Sequence, residues 1–429
     1  MKRYDNPPIS SWSQLCERPQ MDFETLRGKV MDIMQEVKRG GDAALLDFGK
    51  RFDRVELSSL RVTEEEFTEA ALQVSDSLKE AIDVSIRNVE LFHSRQRKEE
   101  TTVETMPGVV CWRKSTAIQR VGLYIPGGTA PLFSTLVMLG VPAKVAGCPT
   151  IVLCTPPNQM GKVHPAILYT ARRLGLTEVF KIGGSQAIAA MTFGTESVPA
   201  VDKLFGPGNQ WVTMAKVLAQ QSGVAIDMPA GPSEVLVVAD KSANPAFVAA
   251  DLLSQAEHGA DSQVVLVTES PSLIDATFLE IEKQLERLPR RTIAQQCLEN
   301  SVAISFDDLG IALDFSNQYA PEHLILSLAD SRKWAQKVLN AGSVFMGHFT
   351  PESVGDYASG TNHTLPTAGA ARAYSGVSLD SFLKWITFQE LTQEGLGSLG
   401  PHVETMAQAE ELMAHAEAVS VRLRSLNPS

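Results

Sequence analysis

Positive charge is in short supply along this chain of 429 residues: 38 Lys and Arg stand against 50 Asp and Glu, a formal net charge of -12. That deficit excludes a nucleic-acid backbone or an anionic membrane as the main partner, since either calls for clustered cations. Cysteine is also sparse. Its five copies, Cys16, Cys111, Cys148, Cys154 and Cys297, are scattered, odd in number and never in C-x-x-C spacing. Neither a disulfide framework nor a Cys-based zinc site is expected. Reduced, mostly buried thiols in a cytoplasmic protein are the simple reading. No uninterrupted apolar run reaches membrane-spanning length. The first residues, Met1-Lys2-Arg3-Tyr4-Asp5-Asn6-Pro7-Pro8, lack the apolar core of a signal peptide. There is no repeat of fixed period and no low-complexity tract.

What the chain does have is length enough for two or more domains, with 44% hydrophobic residues to build their cores. Residues 1–20 carry Pro7, Pro8, Trp12 and Pro19 with little periodicity, and read as an arm. Phe23, Leu26, Val30, Ile33, Met34 and Val37 then recur at helical spacing up to Gly40-Gly41. Thr63 with Glu66 forms a capping box for a second helix, and Leu78, Ile82, Ile86, Val89 and Phe92 mark a third. The pattern changes near Val121. Strands at 121–125, 150–154, 179–182 and 201–205 alternate with helices at 131–146, 164–174 and 185–193, with Gly turns between them. This predicts a parallel, doubly wound sheet with its ligand at the strand carboxyl ends. Strands at 235–239, 263–268, 302–306 and 323–327 predict a second α/β unit. After about Leu379 the chain reads as helical again, ending in a helix over 407–424.

Glycine motifs give little away. Gly395-Leu396-Gly397-Ser398-Leu399-Gly400 spells G-x-G-x-x-G, but it follows a helical run and reads as an inter-helix loop. Gly206-Pro207-Gly208-Asn209 does follow a strand, yet Trp211 occupies its third glycine position. Helix N-termini after Gly128, Gly184 and Gly208 are suited to phosphate, and plain loop glycines explain each equally well.

Four stretches carry side chains with chemistry. In Ser254-Gln255-Ala256-Glu257-His258-Gly259, Gln255 and His258 fall three apart on one face at a helix end, with Glu257 an equal candidate donor. Two ligands do not make a metal site, and a polar helix end facing water explains the stretch as well. Glu322-His323, directly after Pro321, pairs a carboxylate with an imidazole that titrates near neutrality, as acid/base work requires. A surface Glu beside a hydrogen-bonded His is the plain alternative. The polar loop 350–363 holds Asp356, a possible zinc ligand, and His363, suited to a polar substrate; His348 nearby competes as a ligand. Glu410 and His415 lie on the last helix at positions that read as surface. His93, His164 and His402 have no partner motif and also read as surface residues.

These stretches sit within longer ones: V-G-L-Y-I-P-G-G-T-A-P-L-F-S-T at 121–135, G-G-S-Q-A-I-A-A at 183–190, F-G-P-G-N at 205–209 and I-D-M-P-A-G-P-S-E-V-L-V at 226–237. They continue with D-L-L-S-Q-A-E-H-G at 251–259, A-P-E-H-L-I at 320–325, A-G-S-V-F at 341–345 and P-E-S-V-G-D-Y-A-S-G-T-N-H at 351–363. In them the chain closely resembles the histidinol dehydrogenases, from the N-terminal helices to the last one. The resemblance implies an α/β fold of two doubly wound, incomplete Rossmann-like domains with an N-terminal arm and a C-terminal helical tail. Its boundaries would be an arm at 1–20, a discontinuous first domain at 21–122 and 238–377, an NAD-binding domain at 123–237, and a tail at 378–429 that contacts a partner subunit. It implies oxidation of L-histidinol to L-histidine through L-histidinaldehyde with two NAD+, the last steps of histidine biosynthesis.

By the same resemblance, one Zn2+ per subunit is held by Gln255, His258, Asp356 and His415. Ser233, His363 and Glu410 bind substrate together with those ligands and His323, and Tyr124, Gln186 and Asn209 contact NAD+. His323 is the expected base and Glu322 the residue that activates water. The last helix reaches into the neighbouring subunit, so the resemblance implies a homodimer with shared sites. Thr129, Ser185 and His348 depart from the expected residues, and none of them is an expected site residue. Three other readings compete: a zinc- and NAD-dependent oxidation of another substrate such as a sulfonated diol, a zinc hydrolase using Glu322 without nicotinamide, and a non-catalytic binding protein. Donors of N and O type also accept Mn2+ or Co2+.

Overall fold

The computed structural model describes residues 1–18, 23–127, 131–228 and 231–426. Pro19, Gly128 and Thr129, singled out above, lie outside the described residues. The strands, in chain order, are β1 (Lys2–Asp5), β2 (Thr102–Met106), β3 (Val109–Ala117), β4 (Arg120–Tyr124), β5 (Thr150–Thr155), β6 (Glu178–Lys181) and β7 (Lys203–Phe205). They continue with β8 (Ala225–Ile226), β9 (Glu234–Ala239), β10 (Gln263–Thr268), β11 (Val302–Ser305), β12 (His323–Ser327), β13 (Ser343–Met346) and β14 (Leu383–Leu391).

The chain divides into two compact units. The larger, Met1–Gln96 with Ile118–Phe382, holds two all-parallel sheets. One has the order β6-β5-β4-β7-β8 and the other β1-β11-β10-β9-β12-β13. Each grows outward in both directions from its first central strand, β4 or β9, which is the doubly wound pattern expected from alternating strands and helices. Parallel strands covered on both faces need continuous apolar runs. β9 (EVLVVA) and β10 (QVVLVT) are accordingly buried along their whole length.

The N-terminal helices form as their spacing requires. The helix Phe23–Phe48 kinks at Gly41 (φ 53), where the periodicity broke off. The capping box of Glu64–Gln73 is complete: Glu66 N–H donates to Thr63 Oγ1 at 3.3 Å, and Thr63 N–H to Glu66 Oε2 at 2.9 Å. The arm is not structureless, since β1 pairs in parallel with β11 from Lys2↔Val302 to Asp5↔Ser305. His93, expected at the surface, is fully buried and bonds the Val89 carbonyl through Nδ1 at 2.8 Å. The helix Asp76–Ser94 turns it inward.

The smaller unit, Arg97–Ala117 with Leu383–Ser429, corrects three expectations. The chain after Leu379 is not helical throughout. β14 pairs antiparallel with β3 over its full length, in a three-stranded sheet of order β14-β3-β2. Trp385, Ile386, Thr387 and Phe388 favour a pleated strand over a helix, and the Phe388 ring stacks on Trp112 at 5.3 Å. Gly395–Gly400 is not a loop but part of the helix Gln393–Ala409, capped by Thr392. A Cβ at Gly400 would come within 3.0 Å of Val419 and Leu423, so glycine there lets that helix pack closely on Met413–Leu426. The helix expected over 407–424 is broken: Glu410 ends the first helix, Glu411 takes φ 60, and His415 sits in the second.

One turn in the larger unit is clamped electrostatically. Gly206 follows β7 with φ 125, and a Cβ there would stand 2.1 Å from the Tyr124 carbonyl oxygen. Asp227 accepts its N–H at 2.8 Å, and Lys216 donates to its carbonyl at 2.8 Å. Lys216 and Asp227 are themselves paired at 2.5 Å, both essentially buried. Breaking such a pair strands a charge in a medium of low dielectric. Lys216→Met is therefore expected to cost about 3–5 kcal/mol, read as a lower midpoint in urea unfolding; an unchanged midpoint would show the clamp to be dispensable.

Candidate active site

The site grows from the amino-terminal edge of the second parallel sheet. β9 and β12 are neighbours, with His323 opposite Val235. Residue 234, where β9 begins, therefore lies beside the start of β12, and its peptide groups serve both members of the Glu322-His323 couple. Glu234 N–H donates to Glu322 Oε2 at 2.8 Å. His323 Nδ1 lies 3.0 Å from the Glu234 carbonyl oxygen, which only accepts, so Nδ1 carries the proton and donates it. Nε2 is thereby left as the imidazole's acceptor. It is buried, has no hydrogen-bond partner, and lies 3.4 Å from Asp356 Oδ1. Glu322 and His323 are only 6% and 3% exposed, which removes the surface reading of this dipeptide. Burial opposes a charge on His323, but Glu322, Asp356 and Glu352 outweigh it and carry its pKa well above the ordinary value. Those carboxylates would stabilise a proton taken up at Nε2.

Residue 234 is itself anchored by a group that the sequence did not flag. The buried Glu234 carboxylate receives a two-point pair from Arg18 of the N-terminal arm, Nε to Oε1 at 3.0 Å and Nη2 to Oε2 at 3.1 Å. Arg18 also bonds the Tyr319 carbonyl at 2.6 Å, and its guanidinium lies 3.7 Å over the Tyr319 ring. Ala368 N–H completes the cage at Glu234 Oε1, at 2.8 Å. Burial raises the Glu234 pKa, and Arg18 opposes that rise.

The donor set expected for a metal assembles in part within this unit. Gln255 lies in the last turn of the helix Pro245–Ala256, and its Oε1 is buried without a hydrogen-bond partner. An unpaired buried amide oxygen is costly unless something takes it up, and a cation would. Glu352, 1% exposed, accepts from Ser254 Oγ; burial pushes its pKa up to about 8. Asp356, on the helix Glu352–Tyr357, stays below the usual carboxylate range despite burial, because His323, His363 and His258 surround it. His258, just past the helix end, keeps its ring exposed. His363 is fixed between the Asp356 carbonyl, to which Nδ1–H donates at 2.9 Å, and Thr135 Oγ1, 3.1 Å from Nε2; burial lowers its pKa. Ser233 stands immediately before Glu234, half-buried. Glu410 and His415 belong to the smaller unit, where both are exposed. Among the described residues no group of three or more His, Cys, Asp and Glu side chains forms a metal-holding cluster. The donors at hand, one amide oxygen, one imidazole and one carboxylate, suit a divalent ion and leave room for a further ligand. His348 is engaged elsewhere, between Ser327 Oγ at 3.0 Å and Ser242 Oγ at 3.1 Å.

Tyr124, Gln186 and Asn209 come together at the carboxyl ends of the first sheet, around a cavity of about 430 Å³. Tyr124 Oη accepts from Gly184 N–H at 3.1 Å, and burial raises its pKa to about 12. Asn209 caps the helix Gln210–Gln221. The cavity lies where β5 and β6 run one way from β4 and β7 and β8 the other, the usual seat of a nucleotide.

A buried carboxylate–imidazole couple at one sheet and a cavity at the carboxyl ends of another are the features an α/β dehydrogenase needs. The family model of histidinol dehydrogenase matches residues 16–423. The histidinol dehydrogenase of Bacteroides fragilis (strain YCH46) is 57% identical over 426 residues, 99% of this chain and 100% of that one. The chloroplastic enzyme of Arabidopsis thaliana is 52% identical, over 99% of this chain and 92% of its own. The crystal structure of histidinol dehydrogenase from Elizabethkingia anophelis superposes with a TM-score of 0.98 at 55% identity, over 100% of this chain and 99% of that one. This chain belongs to the histidinol dehydrogenase family, oxidoreductases of histidine biosynthesis.

Sequence reading missed Arg18, Glu234, Ser254, Glu352 and Thr135. Glu234 and Glu352 carried a faint signal, since each is an acid in an otherwise apolar or functional run. Arg18 and Thr135 carried none, because their partners are remote in the chain. Arg18→Met is expected to cost about 3–5 kcal/mol of stability by stranding the Glu234 charge, and to lower kcat as the β9 edge relaxes. Arg18→Lys, which keeps charge but loses the two-point geometry, is expected to fall in between. Urea unfolding and steady-state rates on the same preparations check both, and wild-type values for Arg18→Met would refute the anchor.

Proposed function

We propose that this chain oxidises L-histidinol to L-histidine through L-histidinaldehyde, reducing two NAD+, with one Zn2+ per subunit of a cytoplasmic homodimer. The observation that carries this reading is the buried Glu322-His323 couple, oriented by the peptide of Glu234, next to the unpartnered Gln255 oxygen. Family membership supplies the substrate.

Hydride leaves an alcohol carbon readily only as the hydroxyl loses its proton. His323 Nε2 is the acceptor for that proton, its tautomer set by Nδ1–H on Glu234. The aldehyde carbon offers no second hydride until water has added to it. Glu322 activates that water, and His323 then takes the proton of the resulting hydroxyl. The ion, held by Gln255, His258, Asp356 and His415, would supply charge and a template for the substrate's imidazole and amino group. Ser233, His363 and Glu410 would complete the grip, and several anchors explain how a reactive aldehyde stays bound between steps. NAD+ would contact Tyr124, Gln186 and Asn209, which line one cavity. Glu410 and His415 would serve the neighbour's site, which makes the dimer obligatory.

A direct test is NADH formation: about two NADH per histidinol consumed, with no turnover of sulfonated diols. Absence of NADH with histidinol would favour the hydrolase reading. Glu322→Gln should spare the first oxidation far more than the second, because only the second needs activated water; supplying histidinaldehyde directly separates the two, and a normal rate with it would remove Glu322 from this role. For His415→Asn the expected loss is in zinc, by elemental analysis of the dialysed protein. Full occupancy in that variant would argue against ligation.

A further inference from the structure

The cavity at the first sheet has a feature that the expected NAD+ contacts do not use. Phe52 and Trp211 add aromatic surface to the lining, and Asp53 adds a carboxylate. Among the described residues that line the cavity, Asp53 alone carries a charge. Asp53 closes the short helical turn Gly49–Asp53, which follows the long N-terminal helix Phe23–Phe48. It is half-buried, and its side chain bonds no described residue. It lies close enough to Tyr124 to raise the phenol's pKa. Arg51 and Arg54, its nearest cations in the sequence, make no bond to it. Arg51 reaches Glu36 and Asp47 at 3.4 Å each and covers the Phe48 and Phe52 rings, and Arg54 does not line the cavity.

The lining sorts by chemistry. The start of the helix Gly184–Phe193, which has no side-chain cap, suits phosphate, whereas Asn209 takes up the first N–H groups of Gln210–Gln221. Phe52 and Trp211 offer flat apolar surface to a purine. Asp53 directly follows Phe52 in the chain and lines the same cavity, so the ribose next to a purine on Phe52 would come within its reach. We infer that Asp53 determines the choice of NAD+ over NADP+, its carboxylate accepting the adenosine ribose hydroxyls and repelling a 2′-phosphate at the same place. In common dinucleotide folds an acidic residue at the end of a later strand of the same sheet does this work. Here it would come from the N-terminal helical segment, outside that sheet's own sequence. The inference rests on the reading of this cavity as the NAD+ site.

The test uses the full-length, zinc-loaded enzyme and its Asp53→Asn, Asp53→Glu and Gln186→Ala variants. NADH and NADPH are titrated by fluorescence, and NAD+ and NADP+ are compared in steady-state rates. Loss of a hydrogen bond to a charged group is worth about tenfold or more. Asp53→Asn is expected to weaken NADH and strengthen NADPH, lowering the preference by about tenfold or more, whereas Asp53→Glu keeps most of it. If Asp53→Asn leaves the ratio unchanged while Gln186→Ala weakens NADH, the role of Asp53 is wrong and the cavity assignment stands. If Gln186→Ala also leaves both dinucleotides unchanged, the nucleotide lies elsewhere and both readings fall.

Discussion

One peptide unit holds the Glu322-His323 couple in register. The N–H and C=O of Glu234 point at Glu322 and His323, so the carboxylate and the imidazole are aimed by backbone and not by flexible side chains. A side-chain orienter would have to be ordered at some entropic cost. The start of a central strand is already fixed by its neighbours, β10 and β12. The side chain of the same residue then ties that strand to Arg18 of the arm and to Ala368. A low-dielectric setting makes this arrangement firm once every partner is present, and fragile if one is removed.

The two parallel sheets divide the labour. The first places its cavity at the carboxyl ends of β4 and its neighbours, as open α/β sheets do. The second works from its opposite edge: Glu234 and His323 are the first residues of their strands. Glu352, Asp356 and His363 reach that edge from the polar loop that follows β13. Three buried polar atoms there, on Gln255, His323 and Glu352, have no partner. Buried polar groups are nearly always satisfied, so three together mark a place built for something more than the polypeptide itself. Gln255 has the better physical claim than Glu257 for the same reason, since its oxygen is shut away from water while Glu257 lies at the half-exposed helix end.

Local patterns were legible in the sequence where a local cause decides them. The Thr63 capping box, the alternating strands and helices and the long apolar runs of β9 and β10 follow from neighbours within a few residues. Where distant pairing decides, the sequence was silent or misleading. β14 exists because β3 is there to pair with it, 274 residues earlier by the Leu383↔Ala117 to Leu391↔Val109 register taken at its midpoint, Thr387 to Arg113. Gly395–Gly400 reads as a loop until the close approach of the following helix explains its glycines. At the site, Glu322-His323 showed its residue types but not its burial. Arg18, 216 residues from Glu234, could not be paired with it on any local rule. The expected ligand set came from family resemblance. Its one member in the smaller unit, His415, has no local feature that distinguishes it from other exposed helix residues.

In the proposed function, Gln255, His258, Asp356 and a His415 from either protomer would surround one divalent ion within reach of Glu322 and His323. Anomalous diffraction at the zinc edge, on crystals of the purified enzyme, measures this without reference to activity. The account requires one peak per subunit, bounded by those four side chains with the Gln255 oxygen among them. A peak elsewhere, or one at this site with Gln255 turned away, would contradict it.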